Sequence, residues 1–389
     1  MQVASRASVP PFHVMDLLAA ASRRQASHGD LVNMVAGQPS TGAPADVRAE
    51  AKRLLDVDSL GYTVATGVPA LREAIAAHHR RTTGIEVSPD EVVVTTGSSG
   101  GFLLAFLAAF EAGDRVVMAR PGYACYRNVL RALGCEVVEI DCGEETRFQP
   151  TVEQLDEVLA AGPVEGLVIA SPANPTGTML LPDELDAIAR WSEEHGVRLV
   201  SDEIYHGITY DGSAPRSAWH TSRTGVVFGS FSKYFSMTGW RLGWMLVPDD
   251  LRRPVDVLAG NFTICPPALS QHAAVAAFTP ASYAELDGHV QRYAGNRALL
   301  LDGLPRLGID RLAPADGAFY AYADIAHLTG RDGGDSHAWC LRLLAETGVA
   351  CAPGVDFDTR RGQDFVRFSF AGSAAEITEG LDRLAGWLP

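Results

Sequence analysis

Residues 230–244 read Ser-Phe-Ser-Lys-Tyr-Phe-Ser-Met-Thr-Gly-Trp-Arg-Leu-Gly-Trp, so that Lys233 and Arg241 stand among aromatic, hydroxyl and glycine residues. A lysine in such surroundings loses hydration, which disfavours its ammonium form and makes it usable as an amine nucleophile in Schiff-base chemistry. Ser230, Ser232 and Arg241 supply hydroxyl and guanidinium donors that suit a bound phosphate. The alternative interpretation is a snorkelling lysine next to an arginine in a structural ion pair.

The composition is that of an ordinary globular protein and narrows the possible partners. With 389 residues, the chain should form one large domain and a smaller one. The net charge of −15 disfavours nucleic acid or an anionic membrane as the main partner, so an anionic cofactor needs a local cationic site. The six cysteines show no metal-binding spacing and are expected to be free thiols. Without a signal-peptide pattern or an apolar run long enough to span a bilayer, the simplest location is the cytoplasm.

Seven short apolar or β-branched runs alternate with helical patterns, which predicts βαβ units in a mostly parallel sheet covered by helices. The runs are 91–96, 115–119, 136–140, 166–170, 197–201, 226–230 and 241–247. The last gap, 231–240, is shorter than a parallel crossover needs, so the seventh strand should be antiparallel and the sheet mixed.

A smaller α/β unit is expected after this sheet. It comprises a long helical pattern over 282–304 and later helical and strand-like runs, the strand-like ones at 318–323, 349–352 and 364–370. We predict a large domain over residues 46–290 and a small domain formed by residues 1–45 and 291–389.

A turn of glycine and hydroxyl residues follows the first predicted strand and opens an apolar helix. Gly97, Ser98 and Ser99 lie in this turn. The free backbone N–H groups and the dipole of a helix N-terminus favour an anion such as a phosphate. The turn fits neither a Walker loop nor the Gly-x-Gly-x-x-Gly pattern, and a plain helix cap by Ser98 or Ser99 is the alternative.

Polar or aromatic residues also follow three other predicted strands. Tyr123 follows the second strand, Asn174 stands between two prolines after the fourth, and Asp202 ends the fifth shortly before Tyr205. Open α/β sheets bind ligands at the carboxyl ends of their strands, so these side chains are candidates for one site. Taken singly, they could be a core tyrosine, a turn asparagine and a helix-capping aspartate.

These motifs together resemble the class I and II aminotransferases, the fold-type I enzymes that use pyridoxal 5'-phosphate (PLP). The resemblance extends from Gly37 to Arg367. It implies that Lys233 carries PLP as a Schiff base, and that the cofactor phosphate is held by Arg241, the preceding serines and the turn at 97–99.

The resemblance also implies contacts with the cofactor ring. Tyr123 would stack on the pyridine, and Asn174 and Tyr205 would bind its 3'-oxygen. Asp202 would keep the ring nitrogen protonated, so that the ring accepts electrons from the substrate Cα.

Three further matches concern the substrate and a neighbouring subunit. Gly37, in a loop rich in glycine and proline, would lie near the substrate carboxylate together with Asn174. Arg367, in a strand-like run of apolar residues, would clamp that α-carboxylate with its planar fork. Tyr62 would reach the cofactor phosphate of the neighbouring subunit, which predicts a homodimer.

We therefore predict a PLP-dependent aminotransferase that moves an amino group from an L-amino acid to a 2-oxo acid, with 2-oxoglutarate as the expected acceptor. Ser99 stands where some aspartate-specific relatives carry a lysine, which puts dicarboxylate specificity in doubt. Phe12, Phe262 and Ile264 suit a neutral or apolar donor. The sequence does not name that donor.

Two other functions use the same cofactor. A carbon–sulfur lyase or decarboxylase would show nearly the same motifs. A non-catalytic PLP-sensing module of a transcription regulator would need a basic DNA-binding domain, for which residues 1–45 leave little room.

Overall fold

The computed structural model describes residues 1–210, 212 and 215–388 and contains three β-sheets. The strands in chain order are β1 (Val32–Asn33), β2 (Val92–Thr95), β3 (Arg115–Arg120), β4 (Glu136–Asp141), β5 (Gly166–Ala170), β6 (Arg198–Asp202), β7 (Val226–Ser230), β8 (Gly243–Leu246), β9 (Tyr320–Asp324), β10 (Val349–Ala350), β11 (Ala352–Pro353) and β12 (Phe365–Ser369).

Helices lie between the successive strands from β2 to β6 of the largest sheet, and others pack against the two smaller sheets. In chain order they are α1 (His13–His28), α2 (Ala45–Val57), α3 (Pro69–Thr83), α4 (Gly97–Ala109), α5 (Ala124–Leu133), α6 (Val152–Ala160), α7 (Pro182–Glu194), α8 (Asp249–Phe262), α9 (Ala268–Ala274), α10 (Pro280–Arg306), α11 (Ser336–Thr347) and α12 (Ala374–Trp387).

The largest sheet has seven strands in the order β2-β8-β7-β6-β5-β3-β4. Strand β8 runs antiparallel to both neighbours, and the other neighbouring strands are parallel. The predicted fold class, α/β with a mostly parallel, mixed seven-stranded sheet and a smaller α/β unit, is confirmed. The reversal at β8 follows from its short connection to β7, which leaves no room for a crossover helix.

Strands β7 and β8 of this sheet are buried along their whole length, as expected where both faces of the sheet are covered. Helix α4 packs against β7 and β8, and the ring of Phe102 stacks on that of Phe228 with centroids 4.0 Å apart. Polar residues at the strand ends, such as Asp202 and Ser230, are exceptions to this apolar pattern. They therefore mark one edge of the sheet as the place for a ligand.

The smaller sheets correct one detail of the sequence analysis. Strands β11, β12 and β9 form an antiparallel sheet, whereas β1 and β10 form a parallel pair. The single run predicted at 349–352 is therefore two strands in different sheets, separated by Cys351. A run of apolar residues shows that a segment is buried but does not identify its partners.

The N-terminal segment contacts the C-terminal elements. Strand β1 pairs with β10, and helix α1 packs on α11. These contacts support grouping residues 1–45 with the C-terminal unit, although the domain boundary at residue 290 stays a prediction. Among the described residues, no helix is both long enough and apolar enough to cross a membrane.

Candidate active site

Lys233 lies in the turn after β7 and points into the protein. Its Nζ donates a hydrogen bond to the backbone oxygen of Gly37 at 2.6 Å and lies 5.4 Å from the ring centroid of Tyr205. Burial lowers the pKa of the Lys233 amine; nearby Tyr320 and Asp202 raise it, and Arg367 and Arg241 lower it further. A depressed pKa makes the neutral amine available as nucleophile and base.

Aromatic packing holds the turn that carries this lysine. The ring of Phe231 lies 5.1 Å from that of Trp244 and 5.0 Å from that of Phe235, between centroids. The backbone N–H of Ser232 donates to Ser230 Oγ at 3.0 Å. The aromatic neighbours seen in the sequence thus fix the turn in the core, which leaves the lysine amine to face the site.

Asp202, at the end of β6, carries a buried carboxyl group that is 2% exposed. It accepts hydrogen bonds from the Tyr126 hydroxyl and from the Ile204 backbone N–H, the latter at 3.1 Å. Burial raises the pKa of Asp202 to about 6, although these two donors and Lys233 act in the opposite direction. No cation forms a salt bridge with Asp202 in the described part of the chain.

Tyr126 is a site residue that the sequence analysis missed. It lies on α5, three residues after Tyr123, and the two rings meet edge to face with centroids 5.5 Å apart. The available signal was the i, i+3 spacing, which places two side chains on the same side of a helical turn. Its hydroxyl orients the Asp202 carboxyl group.

Tyr205 pairs with a second unassigned residue, Tyr320 of β9. Their hydroxyl oxygens are 2.6 Å apart. A side chain at Gly37 would collide with the Tyr320 hydroxyl, so only glycine allows this approach. Tyr320 therefore connects the loop at Gly37 with the residues at the edge of the large sheet.

Arg367 of β12 is buried, with 3% of its surface exposed, and lies between the rings of Tyr320 and Phe357, 4.3 and 4.9 Å from their centroids. It donates to Asn174 Oδ1 at 2.7 Å and to the Val35 oxygen at 2.9 Å. Its Nε has no hydrogen-bond partner, and no carboxylate pairs with it among the residues described. A buried, unneutralised guanidinium suits the carboxylate of a ligand.

The N-terminus of α4 and Arg241 form a candidate phosphate cradle. Gly97 has φ +67°, and a Cβ there would overlap the Arg241 guanidinium. At Gly243, a Cβ would come within 2.6 Å of the Ser98 backbone nitrogen. Ser98 is half-buried and Ser99 exposed. Within the described residues, α4 begins without a side-chain cap, so the plain-cap interpretation of Ser98 and Ser99 does not apply.

Most of the predicted site residues meet at one edge of the large sheet, but Tyr62 stands apart. Tyr123 is half-buried and contacts Phe12 as well as Tyr126. The side chain of Tyr62 is 85% exposed within the single chain. Its contribution to a neighbouring subunit stays a prediction.

These groups fit pyridoxal phosphate. The helix N-terminus with Arg241 offers donors for a phosphate, and Lys233 offers an amine of lowered pKa. The Asp202 carboxyl group is buried without a cationic partner among the described residues. A protonated ring nitrogen of the cofactor would be that partner. The donor set therefore matches the phosphate, the aldehyde carbon and the ring nitrogen of the cofactor.

Replacing Asp202 with asparagine should stabilise the protein once the cofactor has been removed, by about 2 to 3 kcal/mol at neutral pH. The pKa of Asp202 is raised from 3.8 to about 6, so the folded state loses stability as pH rises between these values. The gain from Asp202→Asn should therefore be small at pH 4 and full at pH 7. Urea unfolding of both cofactor-free proteins across this range measures it, and a gain independent of pH would contradict the assignment.

The chain matches a known family along nearly its whole length. The profile of "Aminotransferase class I and II" matches residues 29–384. The valine–pyruvate aminotransferase of Mycobacterium tuberculosis is 64% identical over 389 residues, covering 100% of this chain and 99% of that protein. The aspartate/prephenate aminotransferase of Thermus thermophilus is 34% identical over 358 residues, covering 92% of this chain and 90% of that protein.

Solved structures agree with these matches. The crystal structure of an aminotransferase from Mycobacterium tuberculosis has a TM-score of 0.96 at 63% identity and covers 100% of this chain and 99% of that one. Thermus thermophilus aspartate aminotransferase with maleate has a TM-score of 0.92 at 32% identity and 99% coverage of both chains. The chain therefore belongs to the class I and II aminotransferases and is a fold-type I transaminase that depends on pyridoxal 5'-phosphate.

Proposed function

We propose that this enzyme transfers the amino group of L-valine, or of a similarly branched L-amino acid, to pyruvate. The proposal is carried by the 64% identity, over the whole chain, to a mycobacterial enzyme named for valine and pyruvate. The rings of Phe12 and Tyr123, with centroids 6.0 Å apart, support an apolar donor. Pyruvate takes the place of 2-oxoglutarate, the acceptor expected from the sequence, which is retained as an alternative to test.

Arg367 and Asn174 are proposed to bind the substrate α-carboxylate. The 2.7 Å hydrogen bond between them fixes the plane of the guanidinium, and the flanking rings prevent it from swinging away. A fixed fork can bind a carboxylate through two parallel hydrogen bonds. This grip orients the Cα–H bond of the donor toward Lys233.

Lys233 is proposed to move the proton. When bound, PLP supplies the carbonyl that captures the amino group and the ring that accepts electrons from Cα. Lys233 Nζ removes the Cα proton of the donor and later delivers a proton to the Cα of the product formed from pyruvate. Burial lowers the pKa of this amine and so favours the neutral form that accepts the proton.

The remaining site residues are proposed to hold the cofactor and tune it. Asp202, oriented by Tyr126, would hold the proton on the ring nitrogen. Tyr205, hydrogen-bonded to Tyr320, would donate to the ring oxygen. Tyr123 would stack on the ring face. The cradle of Gly97, Ser98, Ser99, Ser230, Ser232 and Arg241 would bind the phosphate.

A matrix of amino donors against pyruvate and 2-oxoglutarate tests the proposed substrates. We expect L-valine with pyruvate to yield L-alanine, and kcat/KM for pyruvate to exceed that for 2-oxoglutarate by about 10-fold or more. A preference for 2-oxoglutarate or for aspartate as donor would overturn the substrate assignment. Release of sulfide, ammonia and pyruvate from L-cysteine would instead support a carbon–sulfur lyase, and release of carbon dioxide with the corresponding amine would support a decarboxylase.

We also propose a homodimer in which Tyr62 reaches across to the partner's cofactor phosphate. Apolar side chains are exposed near Tyr62 in the sequence, at Leu55 and Val64. Ile264, in the neighbouring segment that contains Cys265, is exposed as well. The Thr63 backbone N–H lies 3.5 Å from Cys265 Sγ, so the two segments are neighbours. Burial of these side chains against a second copy would be favourable.

Mixed dimers test the position of Tyr62. Tyr62→Ala should weaken PLP binding about 10-fold or more, because a hydrogen bond to a charged phosphate is lost. In dimers that combine a Tyr62→Ala subunit with a Lys233→Ala subunit, half of the sites should regain wild-type PLP affinity and activity. No recovery in a purified mixed dimer would show that Tyr62 acts within its own subunit.

A reducing, cytoplasmic location stays part of the proposal. All six cysteines, which lie in the described part of the chain, are free thiols, and four of them are buried. Free thiols are the usual state in a reducing compartment.

A further inference from the structure

The first turn of α1 is capped by a residue from the opposite end of the chain. Asp356 Oδ1 accepts a hydrogen bond from the His13 backbone N–H at 2.8 Å, and Oδ2 accepts one from the Val14 N–H at 2.7 Å. The Asp356 side chain is buried. A carboxylate that binds two free N–H groups at a helix N-terminus fixes the position of that end of the helix.

The loop that carries Asp356 also contacts the site. The backbone oxygen of Asp356 accepts a hydrogen bond from the buried Arg127 at 3.0 Å. The next residue, Phe357, presents its ring to Arg367 and accepts a hydrogen bond from the Gly122 N–H at 2.9 Å through its backbone oxygen. The loop is therefore fixed relative to both the α-carboxylate site and the turn that carries Tyr123.

Phe12, the residue before α1, is positioned by this cap. It is half-buried, and its ring meets that of Tyr123 edge to face at 75°. With Tyr123 stacked on the cofactor, as proposed above, Phe12 would border the space for the donor side chain. Without the bonds from Asp356, the first turn of α1 would lose its attachment to the loop.

We propose that Asp356 is a positioning residue that holds Phe12 against Tyr123 and so shapes the pocket for a branched donor side chain. The inference rests on the proposed function, because it assumes that the enzyme selects a donor with a branched side chain. Both carboxylate oxygens of Asp356 bind backbone N–H groups of α1, so no direct contact with substrate or cofactor is proposed for this residue. It acts through the start of α1.

A double-mutant cycle tests this role in the PLP-loaded enzyme. Asp356→Asn keeps the buried volume but replaces one acceptor oxygen with an amide group that cannot accept. The measured quantity is the ratio of kcat/KM for L-valine to that for L-alanine in the first half-reaction. We expect Asp356→Asn and Phe12→Ala each to lower this ratio about 10-fold, the scale of one or two methyl contacts in a pocket.

Combining Asp356→Asn with Phe12→Ala shows whether Asp356 influences the valine-to-alanine ratio through Phe12. If Asp356 acts through Phe12, the double variant should have the same ratio as Phe12→Ala alone, because coupled residues are not additive. Hydrogen exchange at the His13 and Val14 amides should accelerate in Asp356→Asn. Ser373→Ala is the matched control, because Ser373 caps α12 through the Glu376 N–H at 3.2 Å and should leave the ratio unchanged.

Two outcomes would overturn the proposal. An unchanged valine-to-alanine ratio in folded Asp356→Asn would mean that the cap only stabilises α1. Additive effects of the two changes would mean that Asp356 acts by another route. If valine proves a poor donor, the same ratio is measured with the best bulky donor of the substrate matrix, so a wrong donor and a wrong role for Asp356 give different results.

Discussion

Replacing Lys233 with alanine should slow amino transfer by more than about 10⁴-fold, because the change removes both the nucleophilic amine and the proton-transfer base. Lys233 Nζ is the amine that donates to the Gly37 backbone oxygen and faces the Tyr205 ring. The loss should appear in kcat of the half-reaction with L-valine, followed by the change in cofactor absorbance in a stopped-flow instrument. Binding of PLP should weaken but persist, because the phosphate cradle and Asp202 are untouched.

The sequence provides a matched control for this variant. The chain contains only two lysines, Lys233 and Lys52, and Lys52 lies exposed on α2. Lys52→Ala should leave the half-reaction within about twofold of wild type, as expected for a surface change away from the site. A Lys233→Ala enzyme that retains more than a hundredth of the wild-type rate would show that another group moves the proton.

Replacing Arg367 with alanine should lower kcat/KM for L-valine about 10²- to 10³-fold, the scale for truncating one partner of a buried charge pair. Arg367→Lys should recover little of this loss. A lysine keeps the charge but cannot donate to Asn174 and Val35 while it also offers a planar fork to a carboxylate. Steady-state kinetics of both variants with valine and pyruvate measure the effect.

An amino donor without a carboxylate distinguishes loss of α-carboxylate binding from a general disruption of the active site. Isobutylamine has the side chain of valine but no α-carboxylate, so we expect it to react slowly. Its rate should be the same in wild type and in Arg367→Ala. Arg383→Lys serves as the control variant, because Arg383 donates to the backbone oxygens of Asp30 and Thr347 and should leave the kinetics unchanged. Equal losses with valine and isobutylamine would contradict the assignment of Arg367 to the α-carboxylate.

The elements of the large sheet were predictable because their signals are local. Strands β5 and β7 occupy the predicted residues 166–170 and 226–230, since uninterrupted apolar runs of this length are typical of buried parallel strands. The reversal of β8 followed from the length of one connection. Candidate site residues could be found in the same way, because polar side chains directly after buried strands stand out from the apolar pattern.

Contacts between distant segments could not be predicted in this way. The hydroxyl of Tyr126 forms a hydrogen bond with Asp202, and the hydroxyl of Tyr320 forms one with Tyr205. The two residues of each pair are far apart in the chain. The cap on α1 connects His13 with Asp356, which no local pattern predicts. The division of 349–352 between two sheets likewise depends on which partner each residue meets. Local patterns show where a residue lies, whereas tertiary packing decides what it contacts.

The position of the covalent bond between cofactor and chain tests the assignment of Lys233 most directly. Wild-type enzyme loaded with PLP would be reduced with borohydride, digested and analysed by mass spectrometry. With two lysines in the chain, the measurement distinguishes Lys233 from Lys52 and from the N-terminal amine. We expect a stoichiometric phosphopyridoxyl group on Lys233. A label on Lys52 or on the N-terminus, with Lys233 unmodified, would contradict it.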